Sequence, residues 1–367
     1  DGLFVPHCNF GTEYEVCRLA KKLNVPVLLW GPRDECPDEN GMRLRDSQCG
    51  LFATGKVLRR FGIPFTYLKN CNLEDECFAE GIDRFLRVCN VVKAFRNTRV
   101  LQISTRPFDF WSTMCNEGEL LEKFGIQLSP IPMPELTQAM KDVKENSPEE
   151  IKEVTDYCRE KMCIKVTPEQ LDNVAALKIA MTRLGKKYGC NCGAIQCWNA
   201  LQDEIGIMPC AANALCNDEG FPIACETDIH GTITSVLVEA AAMGETRSFF
   251  ADWTVRHPYN DNAELLQHCG PWPISIAKEK PTIDTPVAFD CSGSLMAQAK
   301  DGEHISLVRF DGDNGEYSLL LGNAKTVDGP YTKGTYMWVE VENLDRLEDK
   351  LVQGPYIHHC VGVHQDV

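Results

Sequence analysis

The stretch DGLFVPHCNFGTEYEVCRLAKKLNVPVLLWG, residues 1–31, decides the fold class of the first part of the chain. It predicts a short apolar strand, a helix over 13–23 and then a second apolar strand. The alternation continues with a helix over 50–62 and a strand over 64–69. Strands that alternate with helices are typical of a parallel sheet covered by helices. We therefore predict an N-terminal α/β domain over residues 1–95.

The same rhythm resumes at TRVLQISTR, residues 98–106, and predicts a second α/β domain over 96–248. Within it, a long helix over 166–189 begins with a capping threonine before a proline. From Phe249 onward the pattern changes to short apolar strands separated by Gly, Asn and Asp turns, which predicts a mainly β, barrel-like domain over 249–367. The predicted fold is thus α/β, with two doubly wound parallel-sheet domains before a C-terminal β domain.

Composition narrows the classes of function. The chain has 37 Lys and Arg against 53 Asp and Glu, a net charge of −16, and no basic cluster that would neutralise a nucleic acid backbone. It has no apolar run of the roughly 20 residues that a membrane-spanning helix needs, and no basic-then-apolar signal stretch at its start. These features predict a soluble, cytoplasmic protein without nucleic acid or membrane partners. Both ends read as interrupted elements, so we expect further sequence on each side.

Nineteen cysteines are compatible with disulfides, zinc or reduced core thiols. Most stand singly in apolar periodic segments, where a small buried thiol packs well. The dense group of Cys190, Cys192 and Cys197 lacks the paired C-x-x-C spacing of a structural zinc site. Reduced thiols are the interpretation that this pattern favours.

Two acids and a histidine follow or flank apolar strands in the second half of the chain. Glu226, in FPIACETDIHG, stands between a strand and a helix, where open α/β sheets place ligand sites. Asp252 ends the apolar segment RSFFADW, and the segment YIHHCVGVH carries His358 and His359. Oxygen and nitrogen donors of this kind suit Mn²⁺ or another divalent cation. A helix cap, an ion pair or a packed core histidine is the alternative for each residue taken singly.

Other catalytic motifs do not compete with this set. The sequence contains no G-x-G-x-x-G or Walker pattern, and the CSGSL run at Cys291 lacks the frame of a G-x-S-x-G nucleophile elbow.

The run IACETDIHGTITSVLVEAAA resembles the strand–acid–helix segment of L-fucose and L-arabinose isomerases. FFADWT is similar to the segment that carries their second acid, and HHCVGVH to the segment of their late histidine ligand. The resemblance implies a metal-dependent aldose–ketose isomerase with Glu226, Asp252 and His359 as metal ligands. It also implies that Glu226 and Asp252 move a proton between C1 and C2 of the open-chain sugar through an enediol.

Further residues take roles from the same resemblance. LLQHCGPWP is similar to a segment with an additional histidine in arabinose isomerases, but Ala251 before Asp252 favours the three-ligand arrangement of the fucose enzymes and places His268 outside the ligand set. Gln196 and Trp198 are candidates for the sugar pocket, with core packing as the alternative for Trp198.

The sequence does not specify which residues contact the end of the sugar remote from C1 and C2. Arg256, His257 and Tyr259 follow Asp252 closely and are candidates to face that end, which leaves room for a charged or modified sugar. Surface solvation is the alternative for Arg256.

Assembly is also implied by the resemblance, since fucose and arabinose isomerases build their pockets between subunits. We expect a homo-oligomer, a trimer or hexamer, in which Arg45 of the polar stretch NGMRLRDSQCG contacts the sugar. The alternative for this stretch is an ordinary solvated loop. A non-catalytic sugar-binding or sensor protein, or a lyase or epimerase on the same scaffold, remains the alternative function.

Overall fold

The computed structural model describes residues 1–286, 290–365 and 367. Packing divides the chain into two compact units, which we call the N-terminal unit, Asp1–Ala94, and the C-terminal unit, Phe95–Val367. Each unit is described by itself below.

The N-terminal unit is built on a parallel sheet with strand order β1–β2–β3. Strand β2 is buried along its whole length, as expected for the middle strand of a sheet covered by helices. The elements are β1 Leu3–Pro6, α1 Glu13–Leu23, β2 Val27–Trp30, α2 Ser47–Arg60, β3 Thr66–Tyr67 and α3 Glu76–Arg96.

The C-terminal unit begins with a second parallel sheet, whose strand order is β5–β4–β7–β8. Its elements are β4 Arg99–Ile103, α4 Glu117–Phe124, β5 Gln127–Ile131, α5 Met133–Asn146, α6 Pro148–Lys161, β6 Cys163–Ile164, α7 Pro168–Tyr188, β7 Cys192–Ile195, α8 Ala200–Ile205, α9 Cys210–Asp218, β8 Ile223–Ala224 and α10 Ile229–Ala241. Helix α7 starts as the sequence predicts, because Thr167 and Gln170 form a reciprocal capping box at its first turn.

Most of the remaining strands form an antiparallel barrel, as predicted. They follow one another around the barrel in the order β10–β9–β16–β13–β14–β15, and β15 pairs back onto β10 to close it. The elements are β9 Phe249–His257, β10 Asn260–His268, β11 Thr282–Asp284, β12 Ser294–Gln298, β13 Ile305–Asp313, β14 Glu316–Val327, β15 Thr335–Val341, α11 Leu344–Gln353 and β16 His359–Val363.

The sequence-based boundary at residue 249 stays a prediction. Strand β6, which precedes it, pairs in parallel with β11, so the barrel's sheet extends through β12 and β11 to a strand from the α/β part. In the described residues, no helix is long and apolar enough to cross a membrane.

Glu264 on β10 makes the stability of the barrel depend on pH. Its side chain is 7% exposed, and its Oε2 has no hydrogen-bond partner among the described residues. Burial, followed by the charge of Glu348, raises the pKa of Glu264 to about 7. The folded protein therefore holds a proton on Glu264 that the unfolded chain releases near pH 4.5.

The stabilisation from this proton is complete below about pH 4.5 and is lost as the pH rises to about 7. We expect Glu264→Gln to remove this dependence and to raise the free energy of unfolding at pH 8 by roughly 2 kcal/mol relative to the wild type. Urea unfolding at pH 5 and pH 8 measures the effect, with exposed Glu316→Gln as the control. Equal pH dependence in the wild type and Glu264→Gln would contradict it.

Candidate active site

Glu226 is held in the site by a strained turn between β8 and α10. Glu226 has φ +57° and Thr227 has φ +54°, in the left-handed region that a β-branched residue rarely occupies. The turn is fixed on both sides, because the Thr227 amide donates to the Ile195 carbonyl at 3.0 Å and the Thr113 hydroxyl donates to the Glu226 carbonyl at 3.4 Å. Strain of this kind persists only where the surroundings determine the conformation, and it is concentrated at functional sites.

Asp252 and His359 are brought together by the barrel. Strands β9 and β16 pair antiparallel with Asp252 directly opposite His359. Residues in such a pair have neighbouring side chains on one face of the sheet. His359 is fully buried, whereas the adjacent His358 is exposed.

The side chains of Glu226, Asp252 and His359 converge on one point. His359 Nε2 lies 2.9 Å from Glu226 Oε2 and 3.6 Å from Asp252 Oδ1. His268 Nε2 lies 4.0 Å and 3.9 Å from the same two oxygens. One donor atom each from Asp252, His358 and His359 also lies within 4.8 Å of the others.

The converging atoms fit a divalent cation. In the part of the chain that is described, Glu226 Oε2, Asp252 Oδ1 and His359 Nε2 are buried without a hydrogen-bond partner, although they lie within ion-pair distance of one another. Buried polar groups are rarely left in this state unless an ion or water completes them. Donors 3 to 4 Å apart match the spacing of atoms around one cation bound at roughly 2.0–2.2 Å.

The electrostatics of the site also call for a positive charge. Burial raises the pKa of Glu226, but the imidazoles of His268 and His359 outweigh it and hold the pKa well below its usual range. Burial lowers the pKa of His359, yet Asp228 and Glu226 raise it to about 10. Burial likewise lowers the pKa of His268, and the charges of Asp252 and Glu226 raise it above its ordinary value. The two carboxylates thus favour a positive charge at this point, and a bound cation can supply it.

His359 is oriented by a buried carboxylate, Asp228. The Asp228 Oδ2 atom lies 2.8 Å from His359 Nδ1, so Nδ1 carries the proton and Nε2 points to the site. Arg309 donates from Nη1 and Nη2 to the same carboxylate and is 1% exposed. Burial raises the pKa of Asp228, but the Arg309 charge and the His359 bond outweigh it, and the pKa falls well below its usual range.

The network continues beyond Arg309. The Arg309 Nε donates to Asp311 Oδ2 at 2.8 Å, and Asp311 Oδ1 lies 2.7 Å from His230 Nδ1. Asp228 also caps α10 by accepting from the Gly231 amide at 2.9 Å. A Cβ at Gly231 would lie 2.5 Å from the Asp228 carboxylate, so glycine is needed for this approach.

The sequence analysis assigned no role to Asp228, Arg309 or Asp311. The available signal was an arginine inside the apolar strand ISLVRFDGD, since a charge in a buried strand requires a partner.

The other candidate residues lie in different environments. Trp198 Nε1 donates to Glu226 Oε1 at 3.2 Å and so contacts the acid, whereas Gln196 Oε1 accepts from the Ser104 hydroxyl at 2.8 Å. Arg45, in the N-terminal unit, donates to Glu35 Oε2 and to the Arg33 carbonyl, both at 2.8 Å. The roles of these residues stay predictions.

Comparison with known proteins agrees with the resemblance found in the sequence. The model of the fucose/sulfoquinovose isomerase N-terminal domain matches residues 1–96. The sulfoquinovose isomerase of Alkalicoccus urumqiensis is 24% identical over 351 residues, which cover 94% of this chain and 77% of that protein. That of Priestia aryabhattai is 26% identical over 357 residues, which cover 95% and 78%. The chain thus fits the L-fucose isomerase-like family, and its sulfoquinovose isomerase relatives indicate that it is an aldose–ketose isomerase.

Proposed function

We propose that this chain is a metal-dependent isomerase that interconverts a free aldose and its ketose through an enediol, with a sulfonated hexose of the sulfoquinovose type as substrate. The observation that carries the metal dependence is the convergence of three buried, unpartnered donor atoms, from Glu226, Asp252 and His359. The substrate is proposed from the names of the relatives.

Glu226, Asp252 and His359 hold the cation, which we propose to be Mn²⁺, and His268 lies close enough to their oxygens to complete the ligand set. When bound, a divalent cation polarises the sugar carbonyl and stabilises the negative charge that develops on its oxygen. Asp228 keeps the Nε2 atom of His359 directed at the site.

The carboxylates of Glu226 and Asp252 transfer the proton between C1 and C2. Both side chains keep some exposed surface, 28% for Asp252 and 11% for Glu226, which contact with a bound sugar requires. Trp198 donates to the second oxygen of Glu226, which leaves Oε2 directed at the metal and substrate. The Trp198 ring and the Gln196 amide bind the sugar through its C–H face and its hydroxyls.

Removal of the metal tests this function. We expect dialysis against a chelator to abolish conversion of sulfoquinovose to its ketose, and added Mn²⁺ to restore it, because the donor set is incomplete without the ion. Ketose formation and calorimetric binding of sulfoquinovose should be lost together. Full turnover in the metal-free protein contradicts metal dependence, and binding without turnover in the Mn²⁺ form favours the alternative of a non-catalytic sugar-binding protein.

We also propose a homo-oligomer, a trimer or hexamer, in which Arg45 of one chain contacts sugar bound by another. This proposal rests on the resemblance to fucose and arabinose isomerases, which build their pockets between subunits. Light scattering of the active protein checks it, and a fully active monomer contradicts it.

A further inference from the structure

The loop over residues 104–113 forms one wall of the candidate active site. It follows β4 at the edge of the sheet where β7 and β8 also end. The Ser104 hydroxyl donates to Gln196 Oε1 at 2.8 Å, and the Thr113 hydroxyl donates to the Glu226 carbonyl at 3.4 Å. The loop is therefore anchored to residues that hold the metal and the sugar.

Phe110 connects this loop to the metal-binding side chains. Its ring stacks on Trp198 with centroids 5.5 Å apart and lies 5.7 Å from the ring of His359. The Phe110 carbonyl accepts a hydrogen bond from Arg106 Nη1 at 3.4 Å. We call the stacked rings of Phe110 and Trp198 the aromatic wall. The guanidinium of Arg106 contacts the backbone of this wall through the Phe110 carbonyl.

The guanidinium of Arg106 is held in place with donors to spare. Its Nη1 donates to the carbonyls of Pro107, Phe108 and Phe110 at 3.0, 3.1 and 3.4 Å. Within the described residues, its Nε and Nη2 make no hydrogen bond and no carboxylate pairs with it. A partly buried guanidinium whose Nη1 is held by neutral carbonyls still offers an anion its full charge and the N–H groups of two nitrogens, Nε and Nη2.

Two other arginines of this unit, Arg309 and Arg256, already pair with carboxylates. Arg309 is occupied by Asp228 and Asp311. Arg256, which the sequence left as a candidate for the far end of the sugar, pairs with Asp345 and Glu348 at 2.6 Å each. Arg106 is the cation that these contacts leave available beside the aromatic wall.

We propose that Arg106 binds the anionic group at the end of the sugar remote from C1 and C2, and that this group is a sulfonate. The inference rests on the isomerase function proposed above. A sulfonate carries one negative charge and three acceptor oxygens, so a single guanidinium can meet it with two parallel hydrogen bonds. A phosphate monoester carries a larger charge, close to −2, at neutral pH, for which one arginine is a poorer match.

Selectivity between charged and neutral sugars tests this role. We would measure kcat/KM of the Mn²⁺ form for sulfoquinovose, glucose 6-phosphate and glucose. The wild type should prefer sulfoquinovose over both other sugars. In Arg106→Gln, the ratio of kcat/KM for sulfoquinovose to that for glucose should fall on the order of 10- to 100-fold, mainly through KM. Arg106→Lys should recover part of this ratio, because lysine keeps the positive charge but lacks the paired N–H donors of the guanidinium.

Two controls separate this role from a loss of structure. Arg159→Gln removes an arginine from an exposed ion pair with Asp156 on α6 and should leave the ratio unchanged. Calorimetry should show the same Mn²⁺ affinity in Arg106→Gln as in the wild type, and weaker binding of sulfoquinovose. An equal loss on sulfoquinovose and glucose, or no loss on either, overturns the proposal, and so does a preference for glucose 6-phosphate.

Failure of the proposed function gives a different result. If the wild type with Mn²⁺ isomerises none of the three sugars, the isomerase function fails. The binding experiment then still decides on Arg106, because sulfoquinovose must bind the wild type more tightly than Arg106→Gln for the assignment to stand.

Discussion

Glu226→Gln and Asp252→Asn are each expected to abolish isomerisation while the protein remains folded. Each substitution removes a carboxylate that transfers the proton and also removes a charged metal ligand. The loss should therefore exceed the roughly 10²–10⁴-fold contribution of one acid–base group. The fold is expected to survive because each amide keeps the shape of the carboxylate it replaces, and the neighbouring imidazoles of His268 and His359 can release a proton when a negative charge is removed.

Ketose formation measures the loss of turnover, and calorimetric titration with Mn²⁺ measures the loss of metal affinity. Circular dichroism checks the fold. Glu264→Gln is the matched control, because it converts a buried carboxyl on β10 to an amide and should leave turnover and Mn²⁺ affinity as in the wild type. Near wild-type turnover with bound metal in either site variant would show that the acids are assigned wrongly.

Asp228→Asn is expected to weaken both the metal site and the fold. His359 Nδ1 would lose its charged acceptor, and loss of such an orienting partner lowers metal affinity roughly 10- to 100-fold. Arg309 would keep only Asp311 as a charged partner, and breaking a buried pair costs about 3–5 kcal/mol.

Asp311→Asn is the control that separates the two effects. It also leaves Arg309 with a single carboxylate, so it should lower the free energy of unfolding similarly, but it retains the bond between Asp228 and His359. Urea unfolding and Mn²⁺ titration of both variants measure the difference. If the two variants lose metal affinity equally, Asp228 acts only through stability and does not orient His359.

The fold could be predicted largely from local sequence pattern. The alternation of apolar strands and helices indicated the parallel sheets, and the change of pattern at Phe249 indicated the barrel, both of which are confirmed. The closure of β15 onto β10 was not evident, because pairing between distant strands depends on registers that no local pattern specifies.

Only part of the site could be predicted, because local pattern places some of its residues and distant strand pairing places the others. Glu226 follows a strand of a parallel sheet, and such positions meet at one edge whatever the register. Gln196 and Trp198 follow the neighbouring strand β7, and the Trp198 side chain does contact Glu226. The resemblance placed His268 outside the ligand set, but the structure brings its Nε2 within 4.0 Å of both acids, a proximity that depends on how β10 pairs in the barrel.

The sequence by itself determined whether each element is a helix or a strand, and that the α/β part precedes the β barrel along the chain. It also determined which residues have donor atoms that suit a divalent cation. These follow from hydrophobic periodicity and side-chain chemistry, which are local properties. The tertiary structure alone decided that Asp252 faces His359 across two strands and that Arg309 meets Asp228, 81 positions away along the chain. Such contacts depend on barrel closure and on buried charges finding partners, and both are set by the packing of the whole unit.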